Sequence, residues 1–228
     1  MVPLVAPVES NGPHRHLRVA PPNSIGRSAT GERASMRRAL RSRRAGLSAA
    51  QRWAAARLIA AHVAKTRWLH GGRAVGLYAA TGHEVATGPL CELAQRRHCP
   101  VYLPRIYDYR QRRMMFALQS ARAARRNRHG ILEPNTHQII SARALSIVFM
   151  PVLGFDARGA RLGSGAGYYD RLFAFRRHRH SWHRPLLVGI AYRCQEVESI
   201  DLQEHDVLMD ALVSEEGVRY FGAQEQQP

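Results

Sequence analysis

With 228 residues, of which 34 are Lys or Arg and 17 are Asp or Glu, the chain is long enough to bury a full core in one α/β domain, and its formal charge of +17 favours phosphate-bearing partners. Nearly all of that charge is arginine spread along the whole chain, with Lys65 the one lysine, so it reads as a general preference for Arg rather than as a nucleic-acid face. Cys91, Cys99 and Cys194 suit neither a disulfide framework nor a C-x-x-C knuckle, no apolar run approaches the roughly 20 residues of a membrane span, and "MVPLVAPVES" lacks the flank and core of a secretory signal, so a soluble cytoplasmic protein is expected.

Residues 1–31 carry Pro, Gly, Asn and Ser without apolar periodicity and read as a disordered tail, an organelle transit peptide or an over-extended start. A single folded domain is expected over 32–222, with a flexible tail at 223–228. "ERASMRRALRSRR" (32–44) predicts a basic helix on the spacing of Met36 and Leu40. Ser48 with Gln51 forms a capping box for a second helix, whose apolar stripe is Trp53, Ala56, Ala60 and Val63. "RAVGLYAA" (73–80) and "CPVYLPRI" (99–106) predict strands on either side of a helix at "GPLCELAQRR" (88–97). Residues 107–143 read as a polar, irregular excursion with a hairpin around "RMMFALQ". "LSIVFMPVL" (145–153) and "PLLVGIAY" (185–192) predict two further buried strands. The sum is a three-layer α/β/α fold on a mainly parallel, Rossmann-like open sheet.

Between the last two strands lies "RLGSGAGYYDRL" (161–172), at a carboxyl edge where open α/β sheets bind ligands. Alternate glycines (Gly163, Gly165, Gly167) let successive N–H groups converge on an anion, because no Cβ blocks the approach and positive φ is open to them. Arg161 adds a forked cation suited to phosphate. No G-K-[ST] follows, so this is not a Walker A loop, and the spacing is not that of a dinucleotide fingerprint. Asp170 suits Mg²⁺ held beside phosphates, or equally a cap on the following helix.

"FMPVLGFDARGARLGSGAGYYDRL" (149–172) resembles the signature of the 5-formyltetrahydrofolate cyclo-ligase family, and "RASMRRALRSRRAGLS", "GLYAATGHEVAT", "VYLPRI", "RHGILEPN" and "EHDVLMDALVSEEG" fall in family order between about Arg33 and Val218. The resemblance implies an ATP- and Mg²⁺-dependent enzyme that converts 5-formyltetrahydrofolate to 5,10-methenyltetrahydrofolate through a phosphorylated formyl group, releasing ADP and phosphate. It implies ATP contacts from Arg33 and Arg37 and from Arg161, Leu162, Gly163, Ser164, Gly165, Ala166, Gly167, Tyr168 and Tyr169. It implies folate contacts from Leu77, Tyr78, Glu84, Ser164, Gly165 and Tyr168, and chemistry at Arg161, Tyr168 and Asp170. Mg²⁺ falls to Asp170 and to Asp206, with Asp210 a near rival. Family members often carry Lys where this chain has Arg33, and some carry Arg or Lys between the loop glycines, where it has Ser164 and Ala166. The implied partners are ATP and the folate, with a monomer, no membrane and no specific nucleic acid.

Blander features stand beside these. His178, His180 and His183 read as a solvated loop rather than a zinc site, "ARAARRNRH" as a surface loop rather than an RNA grip, and Cys194 as a small apolar residue. The alternatives to cyclo-ligase activity are a non-catalytic folate- or RNA-binding member of the fold and an ATP-dependent ligase for another formylated substrate.

Overall fold

Five strands, most of them short apolar runs buried on both faces, pair in parallel at the centre of one sheet. The computed structural model describes residues 25–120, 124–177 and 184–222, with side chains from residue 31 onward. Helices α1 (Ile25–Ala45) and α2 (Ala49–Ala64) are followed by β1 (Val75–Gly76), α3 (Gly88–Arg96), β2 (Val101–Asp108) and β3 (Arg113–Leu118). Then come the small strands β4 (Ala124–Arg126), β5 (Leu132–Pro134) and β6 (Ile139–Ile140), and the central β7 (Ile147–Pro151). A hairpin of β8 (Gly154–Phe155) and β9 (Arg161–Leu162) leads to α4 (Tyr168–Leu172), β10 (Leu186–Ile190), β11 (Ala211–Ser214) and β12 (Gly217–Tyr220).

The eight-stranded sheet runs β12-β11-β10-β7-β1-β2-β3-β6, with antiparallel pairing only at the two flanks, β11–β12 and β2–β3–β6. One face packs α2 and α3 through Ile59, Val63, Leu90 and Ala94. The other carries Phe116, Val148, Met150 and Leu187 against Phe173, just beyond α4. This is the expected three-layer α/β/α arrangement. A third, smaller cluster joins Leu40 of α1 to Leu153, Ala160, Leu162 and Ile200, and so docks α1 on the β8–β9 hairpin.

The capping box closes as predicted: Gln51 N–H donates to Ser48 Oγ at 3.2 Å and Ser48 N–H to Gln51 Oε1 at 2.8 Å. The predicted stripe of α2 needs correction, because Trp53 is 52% exposed while Ala55, Ala56, Ile59, Ala60 and Val63 are buried. Burial of Ile59 and Val63 stabilises by roughly 2 kcal/mol each, and small alanines beside them let α2 lie close to the sheet. The segment 107–143 is not an irregular excursion. The hairpin expected around "RMMFALQ" is there, as β3 pairs with β2, and β3 also pairs with β6 and β4 with β5, so the segment carries four short antiparallel strands joined by turns. The helix predicted from residue 32 begins earlier, at Ile25. The remaining tails, His178, His180, His183 and part of "ARAARRNRH" lie outside the described residues.

A candidate phosphate and folate site at the sheet's carboxyl edge

The glycine loop leaves β9 rather than β7, because the Phe-Asp turn first folds the chain back as a hairpin. Asp156 fixes that turn. Its Oδ1 accepts from the N–H groups of Arg158 (2.9 Å) and Ala160 (3.1 Å), and its Oδ2 from Arg158 Nη2 (2.7 Å) and Ile200 N–H (3.0 Å). Beyond β9, Gly165 (φ +108°) and Gly167 (φ +69°) adopt conformations that other residues reach only with strain, whereas Gly163 does not. The loop's carbonyls are drawn back by arginines. Arg37 Nε donates to Gly163 O (3.1 Å), Arg41 Nη2 to Ser164 O (3.3 Å) and Arg112 Nη1 to Ala166 O (3.3 Å). Arg112 holds this position from the β2–β3 turn at φ +53°, which is rare for a residue with a side chain. Among the described residues nothing accepts from the N–H groups of residues 163–167, so the loop offers donors and conceals acceptors.

Beside the loop lies a cavity of about 370 Å³, bordered by the ends of β1, β2 and β7. Tyr78 and Glu84 line it after β1, Pro151, Val152 and Leu153 after β7, and Gly163, Ser164, Ala166, Gly167, Tyr168 and Tyr169 along the loop. Five buried side-chain polar atoms lack a hydrogen-bond partner among the described residues, and four of them belong to residues lining this cavity: Arg44 Nε, Glu133 Oε2, Arg161 Nε and Tyr169 Oη. Each unmade bond costs about 1–3 kcal/mol in a dry environment. Four gathered around one hollow mark it as a place for a polar ligand. Burial holds the Tyr169 hydroxyl well above its ordinary pKa, and the Glu84 carboxylate adds to the effect, so it is a hydrogen-bond donor at neutral pH. Glu84 itself accepts from Thr81 N–H at 2.9 Å.

Arg161 and Asp170 form a buried pair at 2.5 Å, and Val207 N–H also donates to the same Asp170 Oδ1 at 3.3 Å. Asp170 is therefore not a helix cap; the cap position of α4 is Gly167. Asp206 Oδ2 accepts from Arg33 Nη1 and from Gln203 N–H, both at 3.0 Å, while its Oδ1 lies 3.9 Å from His205 Nε2. The Val207 bond brings the Asp206 segment against Asp170, so the two carboxylates belong to one neighbourhood. Asp210 does not: it stands at the opposite edge, before β11, bonded to Arg176 Nη2 (2.5 Å) and Leu187 N–H (2.7 Å). Among the described residues no three His, Cys, Asp or Glu side chains gather as a metal set. Two carboxylates, each with an oxygen outside the strong bonds above, suit Mg²⁺ that arrives with phosphates rather than one caged by protein alone.

Other expected residues fall elsewhere. Leu77 is 1% exposed and packs in the core, and Leu162 is buried beneath the loop, so neither side chain lines the cavity. Arg33 and Arg37 do share a face of α1, as their spacing predicts, but Arg33 is bonded to Asp201 O and Asp206 and Arg37 to Gly163 O, and neither lines the cavity. Burial and then the like charges of Arg33 and Arg41 lower the Arg37 pKa. Burial pushes the Cys194 thiol up, and Glu215 adds to this, which opposes any nucleophilic role. Arg41, Arg44, Arg112 and Glu133 were not anticipated. The arginines are lost in a chain full of arginine, whereas Glu133, a lone acid in "RRNRHGILEPN", was the readable signal.

Among the described residues no helix is long and apolar enough to cross a membrane. The family model described as "5-formyltetrahydrofolate cyclo-ligase family" matches residues 29–215. The 5-formyltetrahydrofolate cyclo-ligase of Haemophilus influenzae is 30% identical over 190 residues, covering 81% of this chain and 98% of the relative. That of Saccharomyces cerevisiae is 41% identical over 86 residues, or 37% of this chain and 40% of the relative. In fold, the chain is similar to the 5,10-methenyltetrahydrofolate synthetase of Aquifex aeolicus, with a TM-score of 0.72 at 24% identity over 86% of this chain and 96% of that one. It is also similar to that of Mycoplasma pneumoniae, with a TM-score of 0.63 at 19% identity over 81% and 99%. By sequence, the chain belongs to the 5-formyltetrahydrofolate cyclo-ligase family, a family of ligases.

Proposed function

We propose that this chain uses ATP to cyclise 5-formyltetrahydrofolate to 5,10-methenyltetrahydrofolate, releasing ADP and phosphate. The observation that carries the reading is the loop 163–167, with its carbonyls tied back by Arg37, Arg41 and Arg112 and its N–H groups unbonded beside a cavity ringed by unpartnered polar atoms. A formamide oxygen is a poor leaving group. Transfer of the γ-phosphoryl group breaks the bond to the β-phosphate and forms a new one to the formyl oxygen. N10 then attacks the formyl carbon, and the C–O bond breaks as phosphate departs with that oxygen and the N10 proton.

Such a transfer needs positioning and charge stabilisation more than a protein nucleophile. The loop amides and Arg161 hold the phosphate oxygens, while Tyr78, Glu84 and Tyr168 border the folate. Pro151, Val152 and Leu153 wall the cavity on the apolar side and exclude water. Asp170 and Asp206 would hold Mg²⁺, which when bound supplies neutralising charge at the phosphates. Arg33 acts through Asp206 and Arg37 through Gly163 O. The activity is assigned to a monomer in the reducing cytoplasm, which suits three free cysteines.

The test is absorbance-monitored conversion of 5-formyltetrahydrofolate by the purified protein, with and without ATP and Mg²⁺, alongside Asp170→Ala. Product is expected only with both additions and is expected to fall at least about a hundredfold in the variant. Conversion without ATP, or an unimpaired variant, would sink the assignment.

A further inference from the structure

Glu133 lies on β5 at 2% exposure, with its carboxylate divided into two unlike halves. Oε1 accepts from Ile106 N–H on β2 and from Asn127 Nδ2, each at 2.9 Å. Those two donors saturate it and pin the β4–β5 hairpin to the sheet. Oε2 has no partner among the described residues, and Glu133 lines the cavity. In a chain with a formal charge of +17 a carboxylate should find an arginine easily. Here the nearby arginines are directed elsewhere. Arg105 donates to Thr136 O (3.0 Å), Arg126 to Gly130 O (2.8 Å), and Arg128 lies over the Tyr109 ring at 3.7 Å. The cavity that Glu133 lines is bordered by the apolar Pro104, Met114 and Ile131 and by Asn127 and His129, none of which is bonded to Oε2. A buried oxygen with two open lone pairs in such a cavity calls for a ligand that brings N–H donors.

We propose that Glu133 Oε2 is the recognition point for the amidine edge of the pteridine, its 2-amino group and N3–H. The inference rests on the folate reading above and adds an orientation to it. β2, which anchors the Glu133 hairpin, lies two places from β7 in the sheet. The glycine loop, which follows β7 and the β8–β9 hairpin in the chain, is tied back to the β2–β3 turn by Arg112, and both the loop and Glu133 line the one cavity. The pteridine lies in that cavity with its amidine edge at Glu133 and its N5 half toward the loop, so the formyl oxygen faces the phosphates. Glu133 is thus a specificity-determining residue that sets which end of the ring reaches the reacting centre.

The experiment compares wild type and Glu133→Gln with two substrates, 5-formyltetrahydrofolate and its 2-desamino-2-methyl analogue. KM for ATP and thermal melts serve as controls. Glutamine keeps its carbonyl toward the Ile106 and Asn127 donors, which locks its NH₂ toward the ring donors. The expected result is a fall of roughly tenfold to a hundredfold in kcat/KM for the natural substrate. KM for ATP and the melting temperature stay unchanged, and the wild-type preference for the natural substrate over the analogue disappears in the variant. An equal loss on both substrates would make Glu133 a structural pin only and overturn the proposal, as would a wild type indifferent to the 2-amino group. A wild type that turns over neither substrate would instead overturn the folate reading itself, a failure visible without the variant.

Discussion

Replacing Asp156 with asparagine preserves volume but breaks the turn that launches the glycine loop. Both carboxylate oxygens accept, one from Arg158 N–H and Ala160 N–H, the other from the Arg158 guanidinium and Ile200 N–H. An amide can satisfy only one of those faces. If its carbonyl serves Arg158 and Ala160, the buried Ile200 N–H meets another donor, at a cost of about 1–3 kcal/mol. The lost Arg158 pair adds less than about 1 kcal/mol, because Arg158 is largely exposed. The sum of about 1–4 kcal/mol lowers Tm by roughly 2–16 °C in a domain of this size.

Burial alone would raise the Asp156 pKa, but the Arg158 guanidinium and the N–H groups of Ile200, Arg158 and Ala160 outweigh it and leave the pKa lowered. Its folded pKa therefore lies below the unfolded value near about 3.9. The stabilisation is complete above that value and is lost as pH falls through the folded one. Thermal melts of both proteins at pH 7, 5 and 3 should show a constant gap at the first two and a smaller gap at the last. A variant within about 2 °C of wild type at pH 7, at the low end of the per-kilocalorie shift, would refute the reasoning. So would a gap that does not shrink in acid.

Two further outcomes are expected. Gly165→Ala forces a side chain to φ +108°, while the new Cβ meets only ordinary contacts with Arg37. The strain should raise KM for ATP at least about tenfold while costing the fold no more than roughly 2 kcal/mol, as read by kinetics and urea melts. Unchanged nucleotide affinity would show that the loop does not hold phosphate. Tyr169→Phe removes a buried hydroxyl that has no partner among the described residues. Stability should stay within about 0.5 kcal/mol of wild type, or rise, while kcat/KM drops. A clear loss of stability would mean the hydroxyl is bonded after all.

The parallel centre was legible because its strands are near-continuous apolar runs, and β7 and β10 fell where "LSIVFMPVL" and "PLLVGIAY" predicted. The shorter antiparallel strands were not, because β6 is two residues long and takes its pairing from the more distant β3, while β4 and β5 form a hairpin of three-residue strands too short and polar to show a pattern. Trp53 misled because α2 carries apolar residues on every side, so periodicity could not say which face is buried. In the site, Arg161 and Asp170 stood out as residues of one motif, but their pairing with each other was not foreseen, since the first was read as a phosphate cation and the second as a magnesium ligand. Discounting arginine as a compositional habit hid Arg41, Arg44 and Arg112, whose work depends on which carbonyl or cavity they reach in three dimensions. Leu77 and Tyr78 show the same limit, since adjacent residues after a two-residue strand differ in whether they line the cavity.

The bonds from α1 to the site join residues far apart along the chain. Arg33 reaches Asp201 and Asp206 across 168 and 173 positions, and Arg37 and Arg41 reach Gly163 and Ser164 across 126 and 123. Closing loops of that length costs entropy that local helix formation does not, and the cost is met only after the strands between have assembled. During synthesis, α1 leaves the ribosome long before any of its partners in the site, and a chain stalled before residue 160 holds β1, β2 and β7 without any cradle. The assembled loop is therefore a late product of folding: a refolding sample regains its helical signal before it regains the contacts between α1 and residues 163–164.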